Sequence, residues 1–271
     1  MHKKMMDSML HGMLVNAGRR ASGKMVLAIS LALATLSAQH MALAADKIQV
    51  GTTPSSPPSA FLDVQTKTMQ GVMPDVMNEI AKREGLDIAF DTMPFSALVQ
   101  SVVSGKIDII VAAMKPTPRR EEVVAFAAPV FSFGETVVLP DSDRTKYRHA
   151  SDMKGKVLGL PAGTTYTEAI SKLGGFKEIK YYESSGDGVM DLSHGRIDAF
   201  FGDAPILNWM AEHGQLHGMH VDADYVPIQV GGVAIAVRKG NQPLLDKINA
   251  GIASMKADGT LQKTLLKWHL Q

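Results

Sequence analysis

The sequence contains no cysteine, no apolar run long enough to span a bilayer, and almost no net charge. Without cysteine, the chain has neither a disulfide framework nor a thiolate metal site. Its 28 lysines and arginines are balanced by 27 aspartates and glutamates, which argues against a surface that coats nucleic acid. The length of 271 residues, 45% of them hydrophobic, is typical of a globular chain with one large or two modest domains.

Familiar catalytic motifs are missing as well. The chain has no H-E-x-x-H, no G-x-S-x-G, no Walker loop, and no G-x-G-x-x-G after a strand. His213 and His217 are spaced i, i+4, but Gly214 lies between them and no carboxylate completes a metal-binding set. The sequence therefore indicates no metal site and no other cofactor.

The N-terminal segment differs from the rest in charge. Five basic residues, including Arg19-Arg20, precede the apolar run Met25 to Ala38 and the A-x-A sequence Ala42 to Ala44. This run of 14 residues is shorter than the ~20 that cross a bilayer, so residues 1–44 are predicted to be a cleaved signal peptide rather than an anchor. Sec and twin-arginine export both stay open. The mature chain is expected to be periplasmic, with 23 basic and 26 acidic residues.

From Ala45 onward, apolar strand patterns alternate with helical patterns, which is typical of βαβ units and a largely parallel sheet. The first set comprises strands 47–50, 87–92 and 107–112, and helices 73–84 and 96–104. The second set comprises strands 157–160, 178–182 and 197–201, and helices 164–173, 187–194 and 204–212. The chain is predicted to close with strand 233–237 and helices 243–256 and 260–268.

A short repeat joins the two sets. Ser104 to Ile109 and His194 to Ala199 lie 90 residues apart, and each links the end of a helix to an apolar strand through the pattern Gly-basic-Ile-Asp. Glycine can adopt the left-handed conformation that ends a helix. Together with the repeated order of elements, the repeat predicts two similar α/β lobes separated by a cleft, the usual place for a small ligand.

Three polar features stand at predicted strand ends. Arg120, in Lys115-Pro-Thr-Pro-Arg-Arg120, can grip a carboxylate with two hydrogen bonds, or it can be a solvated turn residue. In Ala162 to Thr165, the backbone N–H groups of a helix start can bind an anion, although Thr164 can equally be a plain N-cap. Asp203 can hold an ammonium group or cap the helix that follows it.

Taken in order, these residues resemble the family-3 periplasmic solute-binding proteins, the polar amino acid receptors of ABC importers. The resemblance covers Ile48 to Trp268. Its landmarks are Val50-Gly51-Thr52, Gly71, Pro94-Phe95, Ser104 to Asp108, Thr117 to Arg120, Lys154 to Lys156, Ala162 to Thr165, Gly195 to Ala199 and Met255 to Gly259.

The resemblance implies a two-lobe clamp of the type II periplasmic-binding-protein fold. Each lobe is then a mostly parallel sheet flanked by helices, and two strand-like crossings form the hinge. The first lobe is expected to span residues 45–133, the second residues 134–230, and residues 231–271 return to the first lobe. The partners implied are a small-molecule ligand and the permease subunits of an ABC transporter, with no nucleic acid and a monomeric state.

The resemblance also assigns roles in the site. Arg120 takes the ligand α-carboxylate together with backbone N–H groups near Thr164 and Thr165, and Asp203 takes the α-ammonium. Phe95 is expected to pack against the ligand, with Phe61 as a second aromatic candidate.

Departures from the family pattern bear on the ligand. Where many relatives have a small hydroxyl residue after the third strand, this chain has Lys115, and Ala112 and Ala113 end that strand. Thr53 stands where receptors for basic amino acids have an acid. An extra cation in a closed cleft favours a second carboxylate, so we expect an acidic amino acid or a carboxylated derivative such as an opine. The alternative is that Lys115 points outward or pairs with a protein carboxylate.

Two other functions exist on similar clamps. Cyclohexadienyl dehydratase needs a general acid, which in that enzyme follows the aspartate on the same helix, whereas this chain has no acid between Asp203 and Glu212. Receptor kinases continue into a membrane helix, whereas this sequence ends at Gln271. We therefore expect an exported receptor that delivers its ligand to a permease, and not an enzyme.

Overall fold

The computed structural model describes residues 47–270, and the predicted signal peptide lies outside the described residues. Within this range the strands are β1 (Ile48–Thr52), β2 (Ser55–Ser56), β3 (Ala60–Leu62), β4 (Met69–Gln70), β5 (Ile88–Thr92), β6 (Ile109–Met114), β7 (Val124–Phe126), β8 (Phe131–Phe133), β9 (Glu135–Pro140), β10 (Val157–Pro161), β11 (Glu178–Tyr182), β12 (Ala199–Asp203), β13 (Met219–Val221) and β14 (Gly231–Arg238). The α-helices are α1 (Val72–Glu84), α2 (Leu98–Ser104), α3 (Pro118–Glu121), α4 (Thr165–Leu173), α5 (Ser185–Ser193), α6 (Ala204–Glu212), α7 (Gln242–Ala257) and α8 (Thr260–Lys267). No helix in this range is both long and apolar enough to cross a bilayer.

Two mixed sheets form the centres of two lobes. The first lobe is built on the order β5-β1-β6-β14-β7, with β8 paired to the start of β14. The second lobe is built on the order β11-β10-β12-β9-β13. In each sheet the first three strands are parallel, and one strand, β14 or β9, runs antiparallel to its neighbours. The predicted two-lobe α/β fold with mostly parallel sheets is confirmed.

The chain passes between the two sheets twice. On the first crossing, Gly134 joins β8 to β9, and on the second, residues 222–230 lead from the second sheet into β14. The two crossings lie side by side, because Phe133 pairs with Gly231 and Phe131 with Val233. A pair of adjacent extended segments is the two-strand hinge that the fold class requires.

The repeated Gly-basic-Ile-Asp pattern has a structural cause. Gly105 and Gly195 both adopt positive φ, 82° and 67°, and end their helices in the left-handed conformation that a glycine allows. Asp108 Oδ2 accepts a hydrogen bond from Gln49 N at 2.8 Å, and Asp198 Oδ2 accepts one from Val157 N at 2.7 Å. In each lobe this clip fastens the helix-to-strand turn to the neighbouring parallel strand, β1 or β10.

The same clip explains where two strand predictions were wrong. Strands predicted at 107–112 and 197–201 begin two residues later, at Ile109 and Ala199, because the clipped aspartates still belong to the turn. The other predicted elements are found with each end shifted by two residues at most. The short strands β2 to β4, β7, β8 and β13, the crossing strand β9 and the single-turn helix α3 were not predicted.

Apolar side chains pack on both faces of each sheet. In the first lobe α1, α7 and α8 cover one face, with Val76, Met77 and Ile80 of α1 fully buried, and α2 covers the other. The second lobe has its own two clusters, around Tyr166 and Phe201 on one face and around Phe200 on the other. Each lobe therefore has a hydrophobic core of its own.

Candidate functional site

The predicted polar residues lie at the carboxyl ends of parallel strands in both lobes. Lys115 directly follows β6, Thr164 follows β10, and Asp203 is the last residue of β12 rather than the residue after the strand. They meet in one cavity between the lobes, which we call the interlobe cavity. It is lined by Phe95, Ala113, Lys115, Arg120, Phe133, Thr164, Thr165, Tyr166 and Asp203. Seven of the eight residues predicted for the site are among them.

Arg120 is held in place by its own turn and by the opposite lobe. Its backbone N–H donates to the N-cap hydroxyl of Thr117 at 3.2 Å, which fixes the single turn of α3. Its Nη1 donates to Lys115 O at 2.6 Å, and its Nη2 crosses the cleft to Gly163 O at 2.8 Å. The guanidinium also lies 5.5 Å from the centre of the Phe95 ring. Burial lowers the pKa of Arg120 to about 10, against the opposing effect of Asp203, so the group stays charged at neutral pH.

Asp203 faces the cavity rather than capping its helix. It occupies the N-cap position of α6, but its side chain makes no capping hydrogen bond there. Its Oδ1 instead accepts a hydrogen bond from the hydroxyl of Tyr166 at 3.1 Å. Burial raises the pKa of Asp203 to about 6; Lys115 and the Tyr166 bond oppose the shift, while Glu135, its partner across the sheet, adds to it. A neighbouring ammonium would stabilise the charged form.

Lys115 is buried, with 9% of its surface exposed, so the alternative of an outward-pointing side chain is wrong. Its Nζ donates to Gln229 O at 3.2 Å and lies 4.5 Å from the centre of the Phe133 ring. Lys115 takes part in none of the ion pairs found within residues 47–270. Burial lowers the pKa of Lys115, although Asp203 and, more weakly, Glu135 favour its charged form. A buried ammonium without a close carboxylate is costly.

The start of α4 forms the second-lobe wall. Thr164 is the N-cap of α4, which was one of the two roles expected for it. Its Oγ1 accepts a hydrogen bond from Thr167 N at 3.3 Å. The backbone N–H groups of Thr165 and Tyr166 belong to the first turn, where no intrahelical acceptor exists. The first turn of a helix also carries partial positive charge, so this wall favours an anion.

Phe95 and Ala113 complete the first-lobe wall, whereas Phe61 does not reach it. Ala113 lies near the end of β6, two residues before Lys115. Its φ of 49° is unusual for a residue with a Cβ atom. Phe61 lies on β3 and packs edge-to-face against Trp268, with 5.8 Å between the ring centres. Its ring is partly buried against the first-lobe core, and Phe61 is not among the residues that line the interlobe cavity.

Several residues of the site were not predicted. Tyr166 and Phe133 line the interlobe cavity, and Glu135 lies next to it on the first crossing. Glu135 is 1% exposed and accepts hydrogen bonds from Tyr225 OH at 3.0 Å, from Gln229 N at 3.2 Å and from Ile228 N. It therefore ties the second crossing to the first. The sequence signal that could have indicated Glu135 is a single carboxylate within the mostly apolar segment Phe133 to Leu139.

The charged groups of the site are arranged to bind a small charged molecule. Two cations, Lys115 and Arg120, and one carboxylate, Asp203, line one cavity together with free helix N–H groups and aromatic rings. Between residues 47 and 270, no group of three or more His, Cys, Asp or Glu side chains is placed to hold a metal ion. One buried and one half-buried cation around one carboxylate complement a small molecule with more carboxylates than ammonium groups.

Comparison with known proteins gives the family. The fold and the cleft are those of a solute-binding clamp, and the model of the family "Bacterial extracellular solute-binding proteins, family 3" matches residues 48–271. The chain belongs to this family. It is 32% identical over 250 residues to the ABC transporter arginine-binding protein 1 of Escherichia coli (strain K12), which covers 92% of this chain and 99% of the relative.

Solved structures agree with this assignment. An ancestral arginine-binding protein bound to arginine superposes with a TM-score of 0.76 at 30% identity, over 82% of this chain and 97% of the other. An ancestral amino acid-binding protein, described as a precursor of cyclohexadienyl dehydratase, superposes with a TM-score of 0.74 at 26% identity, over 82% of this chain and 95% of the other. The curated relatives are transport binding proteins, which confirms the prediction of a binding protein rather than an enzyme.

Proposed function

We propose that the chain captures an amino acid bearing an additional carboxylate between its two lobes and delivers it to the permease of an ABC importer. The observation that carries this proposal is the meeting of Lys115, Arg120 and Asp203 in the interlobe cavity. Relatives named for amino acid binding and for ABC transport support the general class.

Each end of an amino acid finds a complementary group in the cavity. Arg120, with its planar guanidinium, and the first-turn N–H groups of α4 take the α-carboxylate. Asp203 takes the amine, because it is the only carboxylate among the residues that line this cavity. Phe95 packs against the ligand backbone from the side of Arg120.

Lys115 favours a ligand with a second carboxylate over a cationic ligand such as arginine. Its ammonium is buried and its one hydrogen bond goes to a neutral backbone carbonyl, while Asp203 and Glu135 act on it only without a direct ion pair. A ligand carboxylate would provide that ion pair. Since Lys115 lines the same small cavity as Asp203, the second carboxylate is placed near the ligand amine. An N-carboxyalkyl amino acid of the opine type has this arrangement. A cationic group at this point would be repelled.

Calorimetry on the purified protein tests this proposal with arginine, glutamate and an N-(1-carboxyethyl) amino acid. We expect the N-(1-carboxyethyl) amino acid to bind more tightly than arginine or glutamate, because only its second carboxylate lies near the amine. Lys115→Met should weaken it at least tenfold while changing glutamine affinity little, because glutamine has no second carboxylate. Arg119→Ala, an exposed neighbour of Arg120, is the control and should bind like wild type. Tight binding of arginine without binding of any dicarboxylate would show that the charge argument is wrong.

The proposal includes export and the lobe boundaries. Residues 1–44 are removed on export, and the mature protein works in the periplasm as a monomer. Residues 45–133 and 231–271 form the first lobe and residues 134–230 the second. Mass spectrometry of the protein recovered from periplasmic extract is expected to give a chain that begins at Ala45. Light scattering should give the mass of one mature chain.

A further inference from the structure

A second pocket adjoins the interlobe cavity and differs from it in chemistry. It shares Phe95, Ala113, Thr164, Tyr166 and Asp203 with that cavity, but neither Lys115 nor Arg120 lines it. We call it the hydroxyl pocket, because its remaining polar walls are mainly hydroxyl residues. These are Thr53, Ser56, Ser59, Ser184 and Ser185, together with Glu183.

One hydroxyl in this pocket is without a partner. Ser59 is 3% exposed, and its Oγ is the only buried side-chain nitrogen or oxygen of residues 47–270 that makes no hydrogen bond. Its backbone is engaged, since Ser59 O accepts a hydrogen bond from Met73 N at 3.0 Å at the start of α1. Buried polar groups in proteins are nearly always paired, so an unpaired one beside a binding cavity calls for an explanation.

Two neighbouring hydroxyls of the pocket are already hydrogen-bonded within the protein. Ser184 caps α5, accepting from Asp187 N and donating to Asp187 Oδ2, and Thr164 caps α4. Glu183 is exposed and accepts a hydrogen bond from Ser96 Oγ of the other lobe at 2.8 Å. Among the hydroxyl oxygens of this pocket, Ser59 Oγ is therefore the one that is both fully buried and without a hydrogen-bond partner in residues 47–270.

We propose that the hydroxyl pocket takes the side chain of the ligand and that Ser59 Oγ hydrogen-bonds a neutral polar group at its end, such as a carboxamide. The inference rests on the proposed function, because the amino-acid head is placed by Arg120 and Asp203. A carboxylate at the tip is disfavoured because Glu183 and Asp203 are the charged residues that line the pocket. The ligand class is thus an amino acid derivative with a carboxylated head and a neutral, hydrogen-bonding tail.

The test compares an amide tail with an alkyl tail of the same number of carbons, on each of two heads. Calorimetry is carried out with N-(1-carboxyethyl)glutamine and N-(1-carboxyethyl)norvaline, and in parallel with glutamine and norvaline themselves. Wild type should prefer each amide over its alkyl counterpart by about 3- to 10-fold, the equivalent of one neutral hydrogen bond. Ser59→Ala should reduce this preference to below twofold without weakening the alkyl ligands, and Ser59→Cys should give an intermediate value. Ser55→Ala, an exposed residue of the same hairpin, should keep the wild-type preference.

The outcomes separate this inference from the proposed function. An amide preference that survives Ser59→Ala unchanged overturns the role of Ser59, whichever head is used. A carboxyethyl group that adds no affinity contradicts the proposed second carboxylate, while the amide-to-alkyl comparison of glutamine and norvaline still reports on Ser59. If none of the four ligands binds, both proposals are wrong.

Discussion

If Asp203 binds the ligand amine as proposed, ligand binding is expected to depend on pH. The Asp203 pKa of about 6 means that its charge is lost in mildly acidic solution, whereas an amino acid amine stays protonated. Affinity should therefore be constant above pH 7 and fall towards tenfold weaker at pH 5, measured by calorimetry in matched buffers. Asp203→Asn should bind weakly with a flat profile. A wild-type profile that is flat from pH 5 to 8 would contradict the proposed role of Asp203.

In the ligand-free protein, the ionised Asp203 carboxylate is expected to lower the free energy of unfolding. Because burial raises the pKa above the usual value for aspartate, the folded protein binds a proton more readily than the unfolded chain. Its contribution therefore destabilises the fold above pH 6 and disappears as the pH falls towards 4. The ligand ammonium, by favouring the charged form, would offset this cost at neutral pH.

Tyr166 is expected to act through Asp203 as a positioning residue. Its hydroxyl donates to the ionised carboxylate, which opposes the rise in the Asp203 pKa, so Tyr166→Phe should raise that pKa further. The pH at which ligand affinity begins to fall should then move upward, while affinity at pH 8 changes little. A uniform loss of affinity at every pH would instead indicate that the ring has only a packing role.

At the scale of single elements, the repeated clip is predicted to support each lobe independently of the ligand. Asp108→Ala and Asp198→Ala each remove a hydrogen bond between a carboxylate and a strand N–H. Such bonds contribute roughly 1.5–3 kcal/mol, and denaturant unfolding should show losses of this size. Asp246→Ala, on the exposed side of α7, is the matched control and should lose less than about 0.5 kcal/mol.

Either of two results with the clip variants would contradict a purely structural role of the clip. If both aspartates can be replaced with no loss of unfolding free energy, the repeat is not a structural device. If stability is unchanged but ligand affinity falls, the clip has a role in the cleft that the hydrogen bonds do not show.

The elements that could be predicted are those with a complete local signal. Helix α1 combines apolar spacing with Gly85 at its end, and β11 has a clear strand pattern, so both were found close to their true bounds. The strands β7 and β8 have three residues each, too few to show any period. Strand β9 pairs with β12 and β13, which both come much later in the chain. Long-range pairing of this kind leaves little trace in local sequence.

The site divides in the same way. Arg120, Asp203 and Lys115 were predictable, because charged residues at strand ends of an α/β protein lie in the cleft. Tyr166 was missed because an aromatic residue in a helix is ordinarily core, and only the structure shows its hydroxyl on Asp203. Phe61 was expected in the site, but it is not among the residues that line the interlobe cavity. Its sequence position does not reveal that its ring packs against Trp268.

At the scale of the whole molecule, the lobes are joined at the hinge and meet across the cleft. Glu135 and Lys115 both contact the second crossing, at Gln229, while Arg120 reaches across to Gly163. The groups that we assign to the ligand are therefore also groups that connect the lobes. A ligand carboxylate that binds Arg120 and the start of α4 would replace one interlobe contact by two, which is how a clamp couples binding to closure.

The central claim is that Arg120 binds the ligand carboxylate in this cleft. Calorimetric titration of Arg120→Ala with the ligand that wild type binds most tightly tests it most directly, with thermal unfolding and Arg119→Ala as controls for folding and for nearby charge. Losing a buried, charge-assisted pair of hydrogen bonds should weaken binding about 100-fold or more, while the ligand-free variant still unfolds cooperatively. Wild-type affinity in a folded Arg120→Ala protein would contradict the account.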